Sequence, residues 1–557
     1  MTNTTPAPIA DIAARLALEP RDWEPLGWHK AKLAHGLLDR LAARPVGKYV
    51  GVTAITPTPL GEGKTVTTIG LAMALERLGH RTIAALREPS LAPVFGMKGG
   101  GAGGGRSRLE PFTDINLHFT GDLHAITSAT NLLAALIDNH VKRGKAPVLE
   151  PTSITWRRVL DVNDKALSRV VTGLGPRLSG PLRETGFELT AASELMAIVA
   201  LATGLEDLRA RVGRMIIGYT PGGEPVSCEE LRATGPLLAL LVEALRPNLA
   251  QTSERTPALV HGGPFANIAH GNSSVLADLI GLRLAEYVVT ESGFGADCGA
   301  EKLFDIKCRS SGLRPAVEVV VCTVRALKLH SGRFKVVPGK PLPAEMLAED
   351  LDALRAGACN LEGHLAALAR FGVPAVVAIN RFPTDHDAEV DALRQLALEA
   401  GAVGAEVSDV FARGGEGAEA LARVVVSAAA TPSAFRFLYP LELPLAEKLE
   451  TVAREIYGAE GVDLDPAAER QLARFEALGY GALPVSIAKT QYSFSADPAR
   501  LGRPRGFRFP IREARLSAGA GFVYALSGEI TTMPGLPAEP GAHRIDVDSD
   551  GRVVGLT

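Results

Sequence analysis

Cysteine is scarce in this chain: five among 557 residues, at Cys228, Cys298, Cys308, Cys322 and Cys359. None forms a Cys-x-x-Cys pair and the number is odd, so neither a zinc site nor a disulfide framework is expected, which fits a reducing cytoplasm. The 12 histidines include no His-Glu-x-x-His spacing, so a catalytic transition metal is not expected. An excess of basic charge is absent too. The formal net charge of −3 argues against a nucleic-acid partner. No apolar run approaches the ~20 residues of a membrane span. The first residues, Met1 to Pro8, lack a basic segment followed by an apolar core, so no secretory signal is expected.

What is present is ordinary soluble composition: 46% hydrophobic and 22% charged residues. The length allows roughly three to four domains. Apolar, β-branched runs recur at 50–55, 81–86, 115–119, 258–260, 287–290, 317–324 and 375–379, and several stop abruptly at small or charged residues. Helical periodicity covers 131–141, 191–203, 236–245, 344–354, 360–371 and 387–400. Continuous apolar strands alternating with helices predict an α/β fold, a parallel sheet covered on both faces. Ligands on such sheets sit beyond the carboxyl ends of the strands, so the polar tails of these runs should converge on one crevice.

The run 50–55 leads through Thr56-Pro57 into Thr58-Pro59-Leu60-Gly61-Glu62-Gly63-Lys64-Thr65 and then an apolar helix ending near Gly79. Strand, Gly/Pro-rich loop and Gly-Lys-Thr at a helix start are the layout of a nucleoside triphosphate site. The loop N–H groups and the helix dipole both favour anions there. Lys64 would reach the β- and γ-phosphates, and the Thr65 hydroxyl would ligate Mg²⁺. The standard pattern has Gly six residues before the Lys; here Thr58 stands there, and Pro57 and Pro59 stiffen the loop. The alternative is a strand–turn–helix junction whose Gly-Lys-Thr is incidental.

Other candidates follow the same strand-end logic. Arg87 and Glu88 close the run after the phosphate loop, and an Arg fork there suits a planar carboxylate or a phosphate; a surface ion pair is the alternative. Asp122 could face a cation or cap a helix. Lys98-Gly99-Gly100-Gly101-Ala102-Gly103-Gly104-Gly105 is too Gly-rich for helix or strand, and reads as a mobile loop closing on a ligand or as a tether. Phe382-Pro383 and Phe411 follow strands and could stack a flat heterocycle; two core phenylalanines are the alternative. The Gly/Pro/Lys-rich stretch 330–342 reads as a linker, and after about residue 440 short strands and turns suggest a small final domain. The Ser517-Ala518-Gly519-Ala520-Gly521-Phe522 stretch is a candidate for part of an adenine pocket.

These residues resemble the formate–tetrahydrofolate ligase family. The resemblance is carried by the phosphate loop from Thr56 to Thr65, Arg87-Glu88-Pro89-Ser90-Leu91, Asp114-Ile115-Asn116-Leu117-His118-Phe119-Thr120-Gly121-Asp122, and His261-Gly262-Gly263-Pro264-Phe265-Ala266-Asn267-Ile268-Ala269-His270-Gly271. Ala488-Lys489-Thr490-Gln491-Tyr492-Ser493 and Thr532-Met533-Pro534-Gly535-Leu536-Pro537 extend it over nearly the whole chain. It implies ligation of formate to N10 of tetrahydrofolate through formyl phosphate, with ATP, Mg²⁺ and a monovalent cation, K⁺ or NH₄⁺. It implies that Lys64 holds the transferring phosphates, Arg87 orients formate or formyl phosphate, Glu88 and Asp122 flank the monovalent cation, and Phe382 and Pro383 wall the folate pocket. It also implies a cytoplasmic homotetramer with small-molecule substrates and neither nucleic acid nor membrane as partner.

The family usually has Trp where this chain has Phe411, so pteridine stacking should be weaker, by ~1 kcal/mol at most. It usually has an aromatic residue in place of Arg106, and Cys-Asn-Ser in place of Asn272-Ser273-Ser274. The expected organisation is a P-loop NTPase-like nucleotide and formate domain over 1–335, a second α/β domain over 336–440 contributing the folate site, and a small C-terminal α+β domain over 441–557. Two alternatives stay open: a P-loop switch NTPase, against which Pro383 stands where a guanine-reading Asp belongs, and an ATP-dependent ligase of another small acid. A catalytically idle relative is disfavoured by the complete set of phosphate-binding groups.

Overall fold

A computed structural model describes residues 5–96, 100–176, 179–266, 268–336, 341–528 and 530–556. Its centre is a large α/β sheet of twelve strands, mixed but mostly parallel. In chain order they are β1 (Trp23–Pro25), β2 (Ala31–Leu33), β3 (Lys48–Ala54), β4 (Thr82–Leu86), β5 (Gly103–Gly104), β6 (Ser107–Glu110), β7 (Asn248–Thr252), β8 (Pro257–Val260), β9 (Tyr287–Glu291), β10 (Pro315–Cys322), β11 (Ala375–Asn380) and β12 (Gly404–Ser408). The spatial order is β1-β2-β7-β8-β4-β9-β3-β10-β11-β12, with β6 also paired to β7 and β5 to β6. From β8 to β12 every pairing is parallel. The antiparallel strands gather at the β1 edge.

Strand periodicity explains the two-sided burial. Val50, Val52 and Ala54 of β3, Val317, Val319 and Val321 of β10, and Val376 and Ala378 of β11 fill one core. Their neighbours Tyr49, Val320, Cys322, Val377 and Ile379 fill the core on the other face. A period of two sends alternate side chains to opposite faces, and helices must cover both. Helix α1 (Lys64–Arg77) is buried continuously from Thr67 to Leu75, because it lies between the sheet and the helix Glu419–Ala428. At Gly70 a Cβ would lie 2.4 Å from Val410, so this glycine lets the segment bearing Phe411 press against the phosphate-loop helix. A methyl group there would overpack the contact, at a cost of about 1–3 kcal/mol.

Four local expectations are corrected. The apolar run 115–119 is not a strand. Phe112–Asn116 is a short helix, and Ile115 and Phe119, four apart, are both buried; so short a run fits a helical period as well as an extended one. Gly103–Gly104 does form strand, because it pairs as a hairpin with Ser107 and Arg108. Within the expected linker, His330 ends the helix α2 (Val324–His330) and is buried, while residues 337–340 lie outside the described residues. The helical pattern beginning at 344 breaks after Ala344–Leu347, and α3 (Leu351–Arg370) restarts with the Asp350 carboxylate accepting the Ala353 N–H at 2.8 Å.

The sheet takes strands from both sides of residue 335. After it come helices Leu445–Glu455 and Pro466–Ala477 and a separate three-stranded sheet of Val485–Ala488, Phe522–Leu526 and Glu513–Ser517. Among the described residues no helix is long and apolar enough to cross a membrane.

Candidate functional site

Because β8, β4, β9, β3, β10, β11 and β12 run parallel, their carboxyl ends share one edge of the sheet. That edge carries the 58–65 loop after β3, Arg87 and Glu88 after β4, Glu291 at the end of β9, Phe382 after β11 and Phe411 after β12. The convergence expected from the strand tails is therefore present.

The loop enters α1 through two glycines in left-handed conformation, Gly61 (φ 73°) and Gly63 (φ 81°). Thr58, in the place of the usual first glycine, is locked by the Glu62 carboxylate, which accepts the Thr58 N–H at 2.9 Å and its hydroxyl at 2.8 Å. Asn380, the last residue of β11, donates to the Glu62 carbonyl at 2.8 Å. Side-chain bonds thus hold the turn that the missing glycine would have made by backbone freedom.

Thr65 and Arg87 meet at Glu291, whose charge also acts on Lys64. The Thr65 hydroxyl donates to the Glu291 carboxylate at 2.8 Å, and Arg87 Nη2 lies 3.9 Å from its other oxygen. Arg87 also donates to the Pro264 carbonyl at 3.2 Å. Burial pulls the Lys64 ammonium below the usual lysine range; Glu291 and Glu62 oppose this, and Arg87 adds to it. Two cations and a hydroxyl around one carboxylate form a compact, polar, anion-receptive corner. Glu291 was legible only as the tail of an apolar run.

Glu88 and Asp122 are both buried. Asp122 follows no strand. It opens the helix Asp122–Arg143 behind Gly121, yet its carboxylate does not cap that helix. It accepts from Lys32 at 2.7 Å and from Asn248 at 2.8 Å. Burial first, and then the Asp122 charge, push Glu88 well above the carboxylate range, with Lys32 opposing. Glu88 Oε2 is buried without a hydrogen-bond partner among the described residues. Lys32 and Asn248 came from distant sequence and carried no motif.

Phe411 is 60% exposed. The glycine run packs against it: Arg106 N–H donates to the Phe411 carbonyl at 2.8 Å, and Cβ atoms at Gly104 and Gly105 would lie 3.3 and 2.3 Å from Phe411 atoms. The described part of the run is therefore anchored rather than a tether; Lys98 and Gly99 lie outside the described residues. Phe382 is half-buried and Pro383 exposed. The Arg325 guanidinium sits 3.4 Å from the Phe382 ring centroid.

A second set of residues without a sequence signal grips Thr56, between β3 and the loop. Asn360 accepts the Thr56 N–H at 3.1 Å and donates to its hydroxyl at 2.9 Å, His364 Nε2 lies 3.0 Å from that hydroxyl, and His330 Nε2 lies 3.0 Å from the Thr56 carbonyl. The candidate adenine segment is engaged elsewhere: Glu194 accepts from the Gly519 and Ala520 N–H groups, and Arg211 and Arg214 donate to carbonyls of Ala518, Gly519 and Ala520. It borders a cavity of about 420 Å³ that includes Trp156, Glu188, Arg474 and Tyr524, and none of the loop residues 58–65 lines it.

The chain as a whole matches the family model described as formate–tetrahydrofolate ligase, over residues 1–557. A formate–tetrahydrofolate ligase of Saccharopolyspora erythraea is 56% identical over 550 residues, covering 99% of this chain and 97% of that one. One from Roseiflexus sp. is 55% identical over 550 residues, with 99% and 98% covered. One from Desulforamulus reducens is 53% identical over 549 residues, with 99% and 97% covered.

Proposed function

Since the chain belongs to the formate–tetrahydrofolate ligase family and is a ligase, we propose that it joins formate to N10 of tetrahydrofolate at the expense of ATP, and that the sheet edge bearing Lys64, Thr65, Arg87 and Glu291 is where formate is activated. The observation that carries this reading is the approach of Thr65 and Arg87 to Glu291, whose charge also acts on Lys64.

Formate is a poor electrophile, so an N-formyl bond requires activation. A formate oxygen attacks the γ-phosphorus of ATP, ADP departs with the bonding pair, and formyl phosphate results. The N10 lone pair then adds to the formyl carbon. Phosphate leaves with the C–O electron pair, N10 loses its proton to solvent, and the products are 10-formyltetrahydrofolate, ADP and phosphate. Phosphoryl transfer needs positioning and positive charge more than acid–base groups. The loop from Thr58 through Pro59, Leu60, Gly61, Glu62 and Gly63 offers N–H groups at a helix N-terminus. Lys64 neutralises the transferring phosphates, and the Arg87 fork suits the planar formate and then formyl phosphate.

Thr65 and Glu291 would hold Mg²⁺. A hydroxyl and a carboxylate already within hydrogen-bond reach, with phosphate oxygens completing the set, fit its preference for oxygen ligands. When bound, it screens phosphate charge. Glu88 and Asp122 would hold the monovalent cation. The fit rests on the buried, unpartnered Glu88 Oε2: a bound cation would give it a partner and favour its charged form against burial and the Asp122 charge. Phe382, Pro383 and Phe411 would stack tetrahydrofolate, supported by the exposed Phe411 ring at the same edge.

On this reading the sheet is of the P-loop NTPase kind, residues 1–335 bind nucleotide and formate, 336–440 supply the folate wall, and 441–557 form a small C-terminal domain. A cytoplasmic homotetramer is part of the same proposal. A switch NTPase does not suit a ligase family. The test is Lys64→Ala, expected to cut turnover by at least ~100-fold, the scale for losing one electrostatic stabiliser. Near-normal turnover would remove the phosphate-loop assignment.

A further inference from the structure

Arg325 is two residues into α2, beyond the end of β10, and belongs to none of the motifs read from sequence. Its Nη2 donates to the carbonyls of Leu60 at 3.1 Å and Gly61 at 3.2 Å, both in the phosphate loop. Its guanidinium carbon lies 3.4 Å from the centroid of the Phe382 ring, which is stacking distance. Its Nε is buried and unpartnered among the described residues, so the hydrogen bonds that orient the group are those to the two carbonyls, with the Glu62 and Asp385 charges acting on it as well. Phe382 is itself held in a turn, its N–H donating to the Asp385 carboxylate at 2.8 Å. Asn380, two residues earlier, makes the parallel link to the Glu62 carbonyl.

We propose that Arg325 is a positioning residue that couples the nucleotide site to the folate site, so that occupancy of either tightens the other. The inference rests on the reading of Phe382 as a folate wall. The physical basis is the shape of the guanidinium. A planar fork can stack by its face on an aromatic ring while its edge donates to carbonyl oxygens, which a lysine ammonium cannot do in one plane. A peptide unit is planar and trans, so its C=O and N–H point in opposite directions. Holding the Gly61 carbonyl toward Arg325 turns the Glu62 N–H away from it. Phosphates that order these peptides fix the guanidinium, and the guanidinium fixes the ring face behind the pteridine. Coupling of this kind is reciprocal.

The test is isothermal titration of tetrahydrofolate into the full-length protein with and without saturating Mg–AMP-PNP, and the converse titration. In the unmodified chain the nucleotide analogue should tighten tetrahydrofolate binding by at least ~5-fold, the low end of usual coupling, with the same factor in the converse experiment. In Arg325→Ala the factor should fall to about 1, whatever the affinity of each ligand alone. Arg325→Lys keeps the charge and loses the planar fork, so its factor should fall as well; it serves if the alanine variant does not fold. A factor preserved in both variants, or no coupling in the unmodified chain, overturns the proposal. Phe382→Ala separates the two levels. If it binds tetrahydrofolate as tightly as the unmodified chain, the folate-wall reading fails. If it binds more weakly while Arg325→Ala keeps its coupling, the bridging role alone fails.

Discussion

Gly63→Ala and Gly61→Ala should differ, although both glycines have positive φ in the same loop, at 81° and 73°. An L-residue in the left-handed region costs about 1–2 kcal/mol, and both variants carry that cost. At Gly61 nothing lies within 4 Å of the added Cβ. At Gly63 the Cβ would lie 2.4 Å from Asn380 Nδ2, the atom that donates to the Glu62 carbonyl at 2.8 Å. Asn380 is buried and short, so it can yield only by giving up that bond, worth about 1 kcal/mol. Gly63→Ala should therefore be less stable than Gly61→Ala by about 1 kcal/mol in urea unfolding. It should also raise the apparent KM for ATP at least ~10-fold, the equivalent of ~1.4 kcal/mol of lost phosphate contact. In an Asn380→Ala background the stability gap between the two glycine variants should close. Equal stabilities in the original background, with unchanged KM for ATP in both, would refute the argument that Asn380 and Gly63 together shape the phosphate loop.

Phe411→Ala should raise the apparent KM for tetrahydrofolate more than that for ATP; steady-state kinetics showing the reverse would take Phe411 out of the folate site. Burial pushes the Glu194 carboxyl from 4.5 up to about 7, opposed by the Gly519 and Ala520 N–H groups. A carboxyl raised on folding contributes stability that is full below pH 4.5 and is lost as the pH climbs through 7. Relative to Glu194→Gln, the unmodified chain should therefore lose on the order of 3 kcal/mol between pH 4.5 and 8, at 1.36 kcal/mol per unit. Parallel stability–pH curves for the two proteins would contradict this.

The parts of the site legible in sequence are those whose signal is local. β3, the 58–65 loop and α1 are consecutive, and a strand, a glycine-bearing turn and an apolar helix each leave a pattern within a dozen residues. Arg87, Glu88 and Phe382 were legible for the same reason, since each stands within two residues of a strand end, and Phe411 stands three residues past the short strand Gly404–Ser408. Glu291 ended such a run but gained meaning only when the pairing of β9 with β3 set it beside Thr65. Lys32 meets Asp122 from 90 residues away, Asn360 meets Thr56 from 304, and Arg325 meets Leu60 from 265. Single polar residues on helices and short strands carry no periodicity, so no local pattern marks them. The run 115–119 is ambiguous in sequence because its three apolar residues, Ile115, Leu117 and Phe119, fit a short strand as well as a helical turn, and packing decides between them.

The central claim is that activation of formate and its transfer to tetrahydrofolate occur on one coupled site, and ADP formation tests it most directly. ATP, Mg²⁺ and K⁺ are supplied with formate and tetrahydrofolate each present or omitted. Steady ADP release is expected only when both are present. Release at the same rate with either or both left out would contradict it.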